Sequence, residues 1–168
     1  PMSKSIIIFS SVDGHTRVIC DYIAKNLNGE VVVVSLDASP SLIEYDKIII
    51  GASIRYGKYR KNLFEFIKKN QKIIENKENA FFSVNVVARK NEKNTAKSNP
   101  YVSKFLKNTS WVPKKIDVFA GKIDYPKYKF LDKYSIKFIM WITKGPTNTS
   151  ETYEFTDWER VKNFADSI

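Results

Sequence analysis

Cysteine and histidine are almost missing from this chain, whose 168 residues include one of each, Cys20 and His15. A lone cysteine excludes an internal disulfide framework. Together the two supply neither a zinc cluster nor a Cys/His catalytic set, so no metal site is expected. Long apolar runs are also lacking. The run Phe138-Ile139-Met140-Trp141-Ile142 is far too short to cross a bilayer. The run Ile6-Ile7-Ile8-Phe9 has neither the basic leader nor the small-residue cleavage site of a secretion signal, which places the chain in the cytoplasm. Two phosphate signatures are absent, G-x-x-x-x-G-K-[ST] of P-loop nucleotidases and G-x-G-x-x-G of dinucleotide sites. Acidic residues are scarce: 18 face 28 lysines and arginines, giving a net charge of +10.

What is present suffices for a core. Hydrophobic residues make up 43% and aromatics 14% of the chain, enough for one folded domain over 1–168 and against disorder. Apolar runs predict strands at 5–9, 30–35, 47–51, 80–87 and 116–120, the third and fourth buried on both faces. Helices are expected at 16–27, 60–76 and 100–110, with a short one at 41–45. Cys20, among the apolar positions of the first helix, reads as buried. This alternation argues for a doubly wound parallel five-stranded α/β sheet. In such sheets ligands bind beyond the carboxyl ends of the strands, where the loops after strands one, three and four converge.

The first of these loops has the chemistry of an anion cradle. It runs Ser11-Val12-Asp13-Gly14-His15-Thr16 between a strand and a helix, whose first turn has unpaired N–H groups and the positive end of the helix dipole. Ser10, Ser11 and Thr16 add hydroxyls, Gly14 lets the backbone approach closely, and His15 contributes its N–H. Asp13 would repel a phosphate unless it caps the helix or faces away. The alternative is that Ser11 or Asp13 is simply a helix cap. The second loop contributes Ser53, Ile54, Arg55, Tyr56 and Gly57, and the third Asn85, Val86, Val87, Ala88 and Arg89. Phosphate donors, an aromatic ring, two arginines and an amide suit a flat heteroaromatic ligand carrying a phosphate.

Between Arg89 and Lys115 eight basic side chains stand against Glu92 alone, a face that attracts anions or is simply solvated. Tyr101, Phe105 and Trp111 interleave with it, as in some nucleic-acid modules. Their place in an amphipathic helix and its exit favours core packing.

From Gly121 to Lys144 six aromatics and six lysines accompany two aspartates. This segment reads as an insertion over about 122–150, in or beside the final strand, before a strand near 153–156 and a helix at 157–168. Phe130, Tyr134, Phe138 and Trp141 recur at helical spacing, which normally marks a core stripe. Ile136, Ile139, Met140 and Ile142 make the helix apolar on a further face, so one face must meet a subunit, a hydrophobic ligand or a membrane interface.

The loop pattern resembles the flavodoxin superfamily motif [ST]-x-[ST]-G-x-T, matching at Ser11, Gly14 and Thr16 and departing at Asp13. The stretches YDKIIIGASIRYGKY, FFSVNVVARKNEKNT, AGKIDYPKYKFLDKYSIKFIM and FTDWERVKNFA resemble the quinone-dependent, flavodoxin-like protoporphyrinogen oxidases of bacterial haem synthesis, over nearly the whole length. In that family an aspartate at the Asp13 position is acceptable. The resemblance implies an FMN enzyme that oxidises protoporphyrinogen IX to protoporphyrin IX with a respiratory quinone, menaquinone or ubiquinone. It implies peripheral contact with the cytoplasmic face of the inner membrane and no nucleic-acid partner, and leaves a homo-oligomer open. Arg55 and Arg89 would hold substrate propionates or stabilise the reduced flavin, and Tyr56 would stack on the flavin ring. An electron-carrier flavodoxin and an NAD(P)H:quinone reductase of the same fold are the alternatives; carriers are usually acidic where they dock partners, unlike this chain.

Overall fold

β-Branched runs at the predicted places form a five-stranded parallel sheet: β1 (Lys4–Ser10), β2 (Glu30–Ser35), β3 (Lys47–Ser53), β4 (Glu78–Asn85) and β5 (Lys115–Ala120), in the order β2-β1-β3-β4-β5. The computed structural model describes residues 3–11 and 14–168. Ile6 to Ile8 and Ile48 to Ile50 are wholly buried because helices cover both faces of the sheet. On one face Ile7, Ile49 and Phe82 pack against Ile19 and Ile23 of α1 (His15–Lys25) and Val161 and Phe164 of α5 (Trp158–Ser167). Cys20 is buried there, and burial pushes its thiol pKa up. On the other face Ile6, Ile50 and Phe81 meet Leu63 and Ile67 of α2 (Lys61–Glu75) and Phe105 of α3 (Pro100–Lys107). Tyr101 packs at the margin of this layer, while Phe105 and Trp111 are fully buried, so these aromatics are core.

The crossovers change face between β1 and β3, which opens a crevice at the carboxyl ends of these two strands. Gly51 in β3 pairs with Phe82 in β4. A Cβ on Gly51 would lie 2.1 Å from the Phe82 ring, so only glycine lets that ring lie across the strand.

Three local expectations change. Residues 41–45 form a turn instead of a helix: Tyr45 N–H reaches Leu42 O at 3.3 Å, and the Lys77 ammonium donates to the carbonyls of Leu42, Ile43 and Tyr45. So short a helix does not recover its nucleation cost, and here a lysine takes the carbonyls instead. A single turn at Leu36–Ala38 stands just before. β4 stops at Asn85, because the Asn85 carboxamide accepts the Ala88 N–H and starts a turn at Val86–Arg89. α3 ends at Lys107, where Asn108 Nδ2 takes the Lys104 carbonyl.

The insertion stands beside the sheet. Strands β6 (Lys122–Asp124) and β7 (Thr152–Glu154) pair antiparallel, and α4 (Phe130–Ile142) lies between them in sequence. Tyr125, fully buried, anchors it: its hydroxyl donates to Pro146 O at 2.7 Å, and its ring meets Tyr128 and Tyr153 edge-on. Burial pushes its phenol pKa up to about 12.

Candidate functional site

The loops after β1, β3 and β4 converge around a cavity of about 130 Å³ at the crevice. Its wall includes Ser11, His15 and Thr16 from the first loop, Ser53 to Gly57 from the second, and Asn85, Val86 and Val87 from the third. The insertion closes the remaining side with Lys122, Ile123, Tyr128, Ile136, Ile139 and Met140.

At the first loop, Gly14 adopts φ +86°, a left-handed conformation that glycine takes without steric cost, and begins α1. Ser11 Oγ accepts the Gly14 N–H at 3.2 Å, and among the described residues no side chain caps α1. Ser11 is therefore not the cap of α1; Val12 and Asp13 lie outside the described residues. Beside this turn Ser10 Oγ is buried without a hydrogen-bond partner among the described residues, and Thr16 is buried too. A helix start without a side-chain cap among the described residues, beside an orphaned buried hydroxyl, fits an anion. His15 reaches further: its Nε2 lies 2.7 Å from Thr156 Oγ1, and that hydroxyl donates to Ala120 O at 2.8 Å. With its proton so used, Thr156 accepts from His15 Nε2–H, which assigns the tautomer. Burial holds the His15 pKa below the ordinary value, with Glu154 raising it and Lys122 lowering it less strongly.

In the second loop Arg55 and Lys58 exchange backbone hydrogen bonds of 3.0 and 3.1 Å across a tight turn. Its central residues, Tyr56 and Gly57, have φ of 54° and 73°, the left-handed pair of a type I′ turn. The Tyr56 ring is thereby held out at the surface, half exposed. Lys104 Nζ supports the turn through Gly57 O at 2.8 Å. Arg55 lies over the rings of Tyr56 and Tyr128 at 5.9 and 5.5 Å, and its Nη1 meets Asp132 Oδ2 of α4 at 3.1 Å.

The third loop differs from expectation. The Asn85 side chain is buried and committed to the fold, its Nδ2 donating to Ser83 Oγ and Asn99 Oδ1. Ala88 and Arg89 do not line the cavity. Arg89 turns to the insertion: Nη1 donates to Val86 O at 3.0 Å, and Nη2 to both oxygens of Thr143, at 3.2 Å each. Burial lowers its pKa below the usual guanidinium value.

Sequence reasoning allowed the insertion a hydrophobic ligand but named none of its residues for the wall. Ile136, Ile139 and Met140 fall three to four residues apart, a helical face visible in the sequence beside the more conspicuous aromatic stripe. That stripe faces solvent. Phe130, Leu131 and Trp141 are 73, 77 and 69% exposed, with Tyr134, Phe138 and Ile142 also open, and Met140 alone in α4 is buried.

Comparison with known proteins follows the same lines. A family model described as a flavodoxin domain matches residues 6–150. The chain is 43% identical over 170 residues to protoporphyrinogen IX dehydrogenase (quinone) of Escherichia coli strain K12, covering 98% of this chain and 94% of that protein. It is 41% identical over 168 residues to the protein of the same name from Leishmania major, covering 96% of this chain and 73% of that one. Among solved structures, a flavodoxin from the domain Archaea superposes with a TM-score of 0.55 at 17% identity, covering 98% of this chain and 95% of that one, a likeness of fold.

Proposed function

We propose that this chain, which belongs to the flavodoxin family and within it to the protoporphyrinogen IX dehydrogenases, oxidises protoporphyrinogen IX to protoporphyrin IX and delivers the electrons to a quinone. The carrying observation is the 43% identity over 98% of this chain, a match long enough to span all three loops and the insertion that together line the cavity.

FMN is the cofactor this reading requires, and the wall fits it. The start of α1 with Ser10, Ser11 and Thr16 would hold the phosphate, and the loops at Ser53 to Gly57 and Asn85 to Val87 would flank the ring. When bound, FMN supplies two-electron chemistry, so six electrons leave the substrate in three steps. The protein's task is position and charge. Arg55, at the wall beside two tyrosine rings, would bind a substrate propionate. Arg89 would act differently from the sequence expectation, steadying the end of α4 through Thr143. Removal of the meso hydrogens needs a proton acceptor, and no residue is assigned to it.

The exposed aromatic face of α4 would rest on the membrane that holds the quinone. Phe138 and Trp141 enter the interface while Lys133 and Lys137 of the same helix reach acidic headgroups. No described helix is long and apolar enough to cross a membrane, so this contact is peripheral. Chain 1–168 would then act as one flavodoxin-like domain with a membrane-facing insertion.

The test is anaerobic turnover of protoporphyrinogen IX by the FMN-loaded protein with a menaquinone analogue, followed by porphyrin fluorescence. Quinone-dependent porphyrin formation is expected. Flavin reduction by NAD(P)H without porphyrin formation would assign the chain to the quinone reductases, and reduction by a flavodoxin reductase alone would make it a carrier.

A further inference from the structure

The insertion helix is fastened at both ends to the sheet-edge loops. At its far end Arg89 holds Thr143. At its start Asp132 accepts from the Tyr56 hydroxyl and pairs with Arg55. We propose that Asp132 is an internal carboxylate that competes with a ligand carboxylate for Arg55, and so sets the enzyme's preference between an acidic tetrapyrrole and a neutral quinone. This rests on the reading of Arg55 as the propionate site.

Three observations carry it. First, Arg55 lines the cavity wall and the Arg55 and Asp132 side chains are 15 and 33% exposed, so a ligand carboxylate can reach the guanidinium. Second, Arg55 has support independent of Asp132, because its guanidinium lies over the rings of Tyr56 and Tyr128. Releasing Asp132 therefore leaves the arginine at the wall. Third, the cavity of about 130 Å³ is smaller than the ~300–1,000 Å³ of pockets that enclose drug-sized ligands. A flavin and a macrocycle side by side therefore need more room than the cavity gives, and Asp132 is the group that ties α4, whose Ile136, Ile139 and Met140 line the wall, to the Tyr56 turn.

The exchange is balanced in charge. One carboxylate leaves Arg55 as another arrives, so the guanidinium is not left unpaired at any stage. Asp132 stands in the first turn of α4, where the positive end of the helix dipole favours its charge once released. A quinone carries no carboxylate and has nothing to exchange, so the Asp132 contact opposes the acidic ligand alone.

The test uses the FMN-loaded protein and two probes, protoporphyrin IX and its dimethyl ester, titrated in neutral detergent by porphyrin fluorescence. Asp132→Asn should tighten the diacid about tenfold, the order expected on removing a partly exposed, charge-assisted competitor, and leave the ester unchanged. Tyr56→Phe, which removes one donor to Asp132 and keeps the ring, should shift the diacid the same way by less. Asp132→Ser serves if the asparagine variant does not retain flavin. In every background Arg55→Gln should reduce the diacid to the affinity of the ester. If Asp132→Asn weakens the diacid or leaves it unchanged while Arg55→Gln still removes the preference for it, the competition is overturned and the Arg55 site stands. If the parent protein and Arg55→Gln both bind diacid and ester alike, the Arg55 site itself fails and the competition falls with it.

Discussion

Asn85 and Asn99 exchange side-chain amides: Nδ2 of each donates to Oδ1 of the other, at 3.2 and 2.9 Å, with both residues buried. Asn85 Oδ1 also takes the Ala88 N–H, and Asn99 Oδ1 takes the N–H groups of Tyr101 and Val102 at the start of α3. One pair thus closes the loop after β4 onto the next helix. Asn99→Ala removes a helix cap and leaves a buried amide without its partner. The expected loss is about 2–4 kcal/mol in urea unfolding, together with weaker flavin retention, because Val86 and Val87 are no longer held at the wall.

Gly51→Ala forces a methyl into the Phe82 ring across the β3–β4 ladder. Overpacking of this kind costs about 1–3 kcal/mol. Thermal unfolding of the single variant against Gly51→Ala with Phe82→Leu measures it, and the smaller side chain should restore part of the loss.

The His15 imidazole makes stability depend on pH in a fixed direction. Burial lowers its pKa in the folded protein below the ordinary 6.5, so between the two values the unfolded chain binds more protons than the folded one. The contribution is therefore complete above 6.5 and is lost as pH falls through the folded value. His15→Gln should flatten the stability profile between about pH 7.5 and about pH 5, the range in which histidine titrates. A slope equal to that of the parent protein would exclude His15 as its source.

Membrane contact through α4 has a separable signature. Phe138→Ser with Trp141→Ser should weaken binding to vesicles containing acidic lipid by about tenfold or more, through lost apolar burial. Lys133→Gln with Lys137→Gln should lose about 1 kcal/mol per lysine, an effect that disappears at high salt. Flavin content should not change in either case, because these side chains lie outside the cavity wall.

Replacing Lys77 by Met tests the turn that stands where a helix was expected. The ammonium donates to three carbonyls, those of Leu42, Ile43 and Tyr45. Its removal should destabilise the fold by about 1–3 kcal/mol in urea unfolding, the cost of stranding charge-assisted acceptors, with the flavin site unaffected.

The sequence by itself determined the sheet and the edge on which the loops gather. Runs such as Ile48-Ile49-Ile50 and the helical periodicities between them are local signals, since strand burial and helix faces depend on residues a few positions apart. They also suffice to bury Cys20, Phe105 and Trp111. Which partner a polar or apolar side chain finds across long separations was decided only in the tertiary structure. Arg89 reads as a ligand-binding arginine until Thr143, 54 residues on, takes its guanidinium. Asp132 is one of two aspartates counted in the insertion, with no role in the sequence, until the Tyr56 turn is brought to it. The aromatic stripe of α4 has the spacing of a core face, yet Ile136 and Met140 pack inward and Phe138 and Trp141 point out. Periodicity fixes the angle between two faces of a helix, and the rest of the fold chooses which of them it buries.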